Sequence, residues 1–446
     1  MGCLVAREET LELPRPQSPP LVGRIVESLG RRTARGTVPI RIAVVRSSAH
    51  GLDVEVGVLE GLDESSRDRL AAMLRLRRRA VERAEAFTTV MVVPTGIGCA
   101  IGGHAGDAGA AVRLLAAVSD RLVTHPNAVN ASDLIELPEN ALYVEGSVLA
   151  RMLLGSVGLA PVRSNRVLAV ADRDIDEHFA DIAVNSAAAA RASAGVDCTE
   201  VVLLDPHVRL ASHYAPSGRA TGRVEHLERL LRVLEERRGA FDAVAISTRI
   251  DVPWSYHRDY YEQRGVMINP WGGVEALLTH AVSSLLDVPA AHSPMFESRE
   301  AAAVELGVVD PRMAAEVISL GFFVSVLEGL ARAPRIVPLE HGPVAGVVSV
   351  EDVSCLVIPD RVVGLPTLAA LEQGIPVVAV RENANLMAND LASLPWRPGQ
   401  LTIVENYWEA AGVVAALRGG LDPVTVRRPL ADLAVARSSA VRAVTP

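Results

Sequence analysis

From Thr88 onward, short apolar runs alternate with longer segments of helical periodicity. The strand-like runs are Val90–Val93, Arg121–Thr124, Val167–Val170, Val201–Leu204, Ala243–Ser247, Cys355–Ile358 and Pro376–Val380. Between them lie helix-like runs at Ala108–Val118, Ala180–Ala194, Val224–Arg238, Gly273–Leu286, Met313–Ala331 and Leu365–Gln373. Strand and helix in alternation predict parallel sheets with helices on both faces. Upstream, Ile40–Val45 and Asp53–Leu59 flank Ser47-Ser48-Ala49-His50-Gly51 and read as a hairpin. Ser65–Phe87 reads as a helix, with Leu70, Met73, Leu74, Leu76 and Val81 toward a core. Residues 1–20, dense in proline, read as a mobile lead-in, and the polar stretch His207–Arg223 as a loop. The expectation is an α/β protein of two Rossmann-like parallel-sheet units with a ligand cleft between them, plus an N-terminal α+β extension. The divisions fall at residues 1–87, 88–239 and 240–446, with a boundary near Gly239.

Composition narrows the function classes. A chain of 446 residues with 49% hydrophobic positions can bury a large core. Aromatics are only 4% and the net charge is −9, which argues against nucleic acid as a partner. The arginine cluster Arg75–Arg79 reads as a solvated helix face. No lysine occurs in the sequence, so all 44 basic residues are arginine. Pyridoxal phosphate attached through lysine is thereby excluded, and so is a P-loop lysine. Cys3, Cys99, Cys198 and Cys355 form no CxxC pair and signal neither a zinc knuckle nor a disulfide framework. The N-terminus carries Arg7, Glu8 and Glu9 without an apolar signal core, and the longest uncharged apolar stretch, Val317–Leu327, is too short for a bilayer. A cytoplasmic protein without a membrane partner is the expectation, its oligomeric state open.

The densest chemical signal is Pro94–Asp107, PTGIGCAIGGHAGD, between a strand-like run and a helix-like run. Such an order makes an anion site from converging amides. Thr95, Gly96, Gly98, Gly102 and Gly103 are its ligand-binding candidates, and Asp107 a helix cap or a site acid. The spacing GxGxxxGG is not the dinucleotide fingerprint, and Thr124-His125-Pro126-Asn127 stands where an acidic ribose ligand belongs. NAD is therefore disfavoured, and the cofactor is otherwise unknown. His125, Asn127 and Asn130 follow a strand end, where open α/β sheets bind ligands. Glu145 follows another apolar run as a candidate base. Asn269, Gly272 and Gly273 mark a second helix start, followed by His280 and His292. Histidine and glutamate there match no metal-ligand spacing, so no metal site is assigned. Gly364–Asn383 has the helix, turn and buried strand of a sugar-transferase donor half, a pattern many α/β units share. Cys99 reads as a loop filler.

Several of these segments together resemble the domain-of-unknown-function 3326 family. The residues carrying the resemblance are VPTGIG at Val93–Gly98, Ile101–Gly103, Gly106–Ala108, His125–Asn127, ALYVEG at Ala141–Gly146, Asn269–Ala276 and Ala291–Pro294. Similarity spans roughly residues 88–410 and leaves the first ~85 outside. The chain departs from the family at His104, commonly aromatic there, and at Ser293, often alanine. The resemblance marks the segments as functional and implies no reaction. From the residues themselves, the leading expectation is an enzyme acting on a small anionic metabolite by acid–base chemistry, of isomerase, lyase or hydrolase type. His125, Glu145, Asp107, His280 and His292 are its catalytic candidates. The alternatives are a nucleotide-dependent group transferase and a non-catalytic metabolite-binding protein.

Overall fold

The computed structural model describes the chain apart from residues 1, 17, 105–106, 129–136, 174–176, 297, 304–305, 319–321, 431, 434 and 437–446. A six-stranded sheet is parallel throughout, in the order Leu401–Val404, Val377–Val380, Val353–Pro359, Thr88–Met91, Arg121–Thr124, Ala141–Tyr143. All seven residues of Val353–Pro359 are buried. A parallel strand covered on both faces has no solvent side, which is why its sequence is a continuous apolar run.

The second sheet is mixed and has ten strands. Its antiparallel part runs Val363–Gly364, Val38–Ser47, Gly51–Glu60, Val5–Pro14, Ala220–Glu225, Arg209–Tyr214. It joins a parallel part at the end of Ala243–Asp251, which is flanked along its length by Val167–Asp172 and Ala290–Met295. Val201–Leu204 pairs beyond Val167–Asp172. The protein is thus α/β as expected, but the second sheet is not a parallel Rossmann-like unit.

Three expectations change with it. The lead-in contains Val5–Pro14, an interior strand paired along its whole length with Gly51–Glu60 and at Val5–Arg7 with Ala220–Glu225. The first 87 residues are therefore part of the large sheet and not an appended unit. The polar stretch His207–Arg223 is mostly a hairpin, Arg209–Tyr214 against Ala220–Glu225. Neither sheet parts at Gly239, since Val167–Asp172 and Ala243–Asp251 are neighbours in one and Thr88–Met91 and Val353–Pro359 in the other.

Two helices have other described bounds than their periodicity suggests. The first spans only Glu64–Met73. Beyond it the chain is captured by distant partners: the Arg77 amide donates to the Leu154 carbonyl at 2.8 Å and the Arg79 amide to Gln373 Oε1 at 2.8 Å. Arg77 and Arg79 also donate to the backbone carbonyls of Leu339 and Val353, each at 2.7 Å. These two arginines join segments, while Arg75, Arg77 and Arg78 remain exposed as a solvated face would be. The second, expected over Met313–Ala331, is described as Ala314–Ile318 and Phe322–Arg332.

The glycine-rich segment shows why its glycines are there. Gly96 has φ +76°, and a Cβ on it would stand 2.4 Å from the Ala220 carbonyl oxygen. A Cβ on Gly273 would stand 2.1 Å from that same oxygen. Both segments therefore press directly on the strand Ala220–Glu225, an approach only glycine permits.

Candidate functional site

The ends of the parallel strands open on a cavity of about 430 Å³. Val92, Thr95, His125, Tyr143 and Glu145 line it from the carboxyl ends of the six-stranded sheet. Ser247 and His292 line it from the ten-stranded sheet, and Asn269, Gly272, Glu275 and His280 from the helix Gly272–Leu286 and the turn before it. Ile40 to Ala43 add a wall from the N-terminal strands. Ligands of open α/β sheets bind at this kind of place.

Glu145 is the centre of the polar wall. It is 3% exposed and caps the helix Gly146–Leu153, accepting the Ser147 amide at 2.8 Å and the Val148 amide at 3.3 Å. The Ser147 hydroxyl also donates to it, and Thr279 Oγ1 does so at 3.2 Å. His280 Nδ1 lies 2.5 Å from Glu145 Oε1, an ion-pair distance. Burial opposes the Glu145 charge, but the His280 imidazole and Ser147 more than offset it and hold its pKa near 2. The carboxylate stays ionised beside His280 Nδ1, at ion-pair distance but without hydrogen-bond geometry.

His125 stands across the same helix start. Its Nε2 accepts the Val93 amide at 2.9 Å. Burial pushes its pKa down to about 4, against the pull of Glu145 and with the help of His280. A neutral ring that accepts at Nε2 carries its proton on Nδ1. A Cβ on Gly146 would stand 3.1 Å from His280 Cε1, 3.7 Å from His280 Nε2 and 4.0 Å from His125 Nδ1. The two imidazoles therefore both pack close to Gly146, where glycine leaves room for their rings.

This assignment predicts a spectroscopic result. In 1H–15N spectra His125 should show the Nδ1–H tautomer at pH 6 and begin to charge only near pH 4. An unfolded histidine takes its proton near 6.5, so His125 contributes stability that is complete above that value and is lost as pH falls toward 4. A His125 resonance titrating near pH 6.5 would refute the assignment.

Other candidates fall differently. His292 lines the cavity, with Nε2 2.9 Å from Thr248 Oγ1 and Nδ1 3.8 Å from Glu275 Oε2. Asn127 lines it and donates to the Val93 carbonyl at 2.9 Å. Asn130 lies outside the described residues. Gly96, Gly98, Gly102, Gly103 and Gly273 are not on the cavity wall, and neither is Asp107. Asp107 does not cap the helix Gly109–Ala117, whose first turn has no side-chain cap. Its Oδ1 instead accepts the amides of Gly102 at 2.7 Å and His104 at 3.3 Å. Asn269 Oδ1 likewise takes the amides of Trp271 at 2.9 Å and Gly272 at 3.1 Å. The Gly102 and Gly272 amides, two of those expected to receive an anion, thus already bind the protein's own oxygens.

Sequence reasoning missed Arg41, because the first 87 residues were set aside from the site. Arg41 lines the cavity and donates to the carbonyls of Thr95 at 3.2 Å and Gly273 at 3.4 Å. Burial and the neighbouring Arg219 push its pKa down to about 10, so it remains a cation at neutral pH. It also missed His104, whose Nδ1 is 2.8 Å from the Tyr260 hydroxyl, within reach of Glu316 and Asn269. The departure from an aromatic at 104 was its only signal.

Among the described residues no single helix is long and apolar enough to cross a membrane. No solved structure matches the chain. A relative from Synechococcus sp., named as an uncharacterized lipoprotein, is 34% identical over 347 residues, covering 76% of this chain and 93% of the relative. The family described as "Protein of unknown function (DUF3326)" matches residues 88–427. That match spans the strands and helices that carry His125, Glu145, His280 and His292, and the chain belongs to the DUF3326 family.

Proposed function

We propose that the protein is an enzyme that moves a proton on a small anionic metabolite. The observation that carries this reading is the trio at Gly146. Glu145 orients His280, whose Nε2 acts as general base, while neutral His125 donates from Nδ1 to an oxygen on which charge develops. A base and a neutral imidazole donor side by side suit proton abstraction next to a carbonyl. That is the first step of many isomerisations and eliminations.

Arg41 supports an anionic substrate. Its bonds to two carbonyls are long, and its nearest carboxylate, Glu8, is 3.7 Å away. A substrate carboxylate would complete its shell better than these partners do. The helix Leu365–Gln373 adds an N-terminus on the cavity wall with no side-chain cap. Gly364 there pairs with Ala43, two residues from Arg41 on the neighbouring strand.

The test is hydrogen exchange with solvent. The protein is incubated in D2O with a panel of small oxo acids, hydroxy acids and carboxylic esters, and deuterium uptake is read by mass spectrometry. Uptake at a carbon beside a carbonyl, lost in His280→Gln, is the expected result. Saturable binding of a panel member with neither exchange nor turnover would replace the enzyme reading with that of a metabolite-binding protein.

A further inference from the structure

Cys3, His226 and Glu228 meet just ahead of the strand Val5–Pro14, and none of them lines the cavity. Their ligand atoms all lie within 4.8 Å of one another. Cys3 Sγ is 3.7 Å from His226 Nδ1, and Glu228 Oε1 is 3.4 Å from the same nitrogen. A cysteine–histidine–carboxylate relay needs one ring nitrogen for each partner. Here both partners approach Nδ1, so the three groups do not form a relay. They converge as ligands do.

We propose that Cys3, His226 and Glu228 bind a divalent, borderline-soft metal ion, zinc being the best fit. Tetrahedral zinc with ordinary bond lengths sets sulfur and nitrogen about 3.6 Å apart, and nitrogen and oxygen about 3.3 Å apart. The distances of 3.7 and 3.4 Å match those edges. The side chains are also held toward one another. Glu228 Oε2 accepts the Leu4 amide at 2.8 Å, which leaves Oε1 for His226. His226 has φ +61°, a left-handed backbone that a non-glycine residue adopts at a cost. That turn brings the ring to Cys3 before the helix Leu227–Glu236 begins. Three protein ligands leave the fourth tetrahedral corner to an exogenous donor. The ion would fasten the root of Val5–Pro14, the strand bearing Glu8, to the helix beside it.

The full chain, stripped with chelator, is titrated with cobalt chloride and then zinc chloride. The expected result is a thiolate-to-cobalt absorption band saturating at one cobalt per chain and abolished by zinc. Cys3→Ser should lose the band, and Cys3→Ser, His226→Ala and Glu228→Gln should each bind zinc at least about tenfold more weakly. Zinc should raise the melting temperature of the unaltered protein and not that of Cys3→Ser. Cys3 is exposed, so its serine variant keeps the fold, which circular dichroism of the metal-free protein checks. Absence of the cobalt band, or equal zinc affinity in the unaltered protein and Cys3→Ser, would overturn the proposal.

Discussion

Arg219→Met is expected to lose about 3–5 kcal/mol of folding stability, the cost of leaving buried carboxylates without their cation. Arg219 is fully buried and sits between Glu8 and Glu55, themselves buried. Its Nη2 donates to Glu8, and its Nε lies 2.5 Å from Glu55. Glu8 is held near pKa 2: burial opposes its charge, and Arg219 and Arg41 outweigh that opposition. Domains of ordinary stability have roughly 5–15 kcal/mol in total, so the variant should unfold at a markedly lower urea concentration. Methionine fills similar volume without charge, which separates electrostatics from packing. The triple variant Glu8→Gln, Glu55→Gln, Arg219→Met should regain most of the loss, because a buried ion group can be replaced as a whole at little cost. If Arg219→Met unfolds at the same urea concentration as the unaltered protein, the buried charges do not hold this seam together.

That seam explains what the sequence concealed. Glu8, Arg41 and Glu55 lie on strands from the first 87 residues, and Arg219 immediately precedes the strand Ala220–Glu225. Read along the chain, each is one more charged residue in a polar position. Only pairing across 211 residues for Glu8 and 164 for Glu55 makes them a core. The same holds for the glycines. Their density at 96–103 marks a special backbone, but for Gly96 and Gly98 the special need is close approach to Ala220 and Ile268, which no local pattern encodes. Arg77 and Arg79 read as a solvated face alone until Leu154 and Gln373 capture their backbone amides. Strands buried on both sides were legible, since burial writes an apolar run directly into the sequence: Arg121–Thr124 falls at its expected bounds. His125, Glu145, His280 and His292 were legible for a related reason. Each follows or lies within a strongly apolar element, and the cavity collects the ends of such elements.

His280→Gln should lower kcat by about 10²–10⁴-fold on whichever substrate shows exchange, with little change in KM. Glutamine can still donate toward Glu145 but cannot take a proton at neutral pH. Glu145 keeps its Ser147 and Val148 bonds in this variant, so the helix start stays capped and the fold is spared. His125→Asn tests the other half: with the donor weakened, about 10²–10³-fold should be lost. Glu145→Gln separates orientation from proton transfer. It leaves the His280 ring in place but removes the carboxylate charge beside Nδ1, so kcat should fall by less than in His280→Gln. Losses at His280 and His125 that act on one step should fall short of additivity when combined, as they do for groups that work as a unit. A double variant losing the full product of the two single losses would mean that the two imidazoles act at separate points. The placement of both rings beside Gly146 would then have no catalytic meaning.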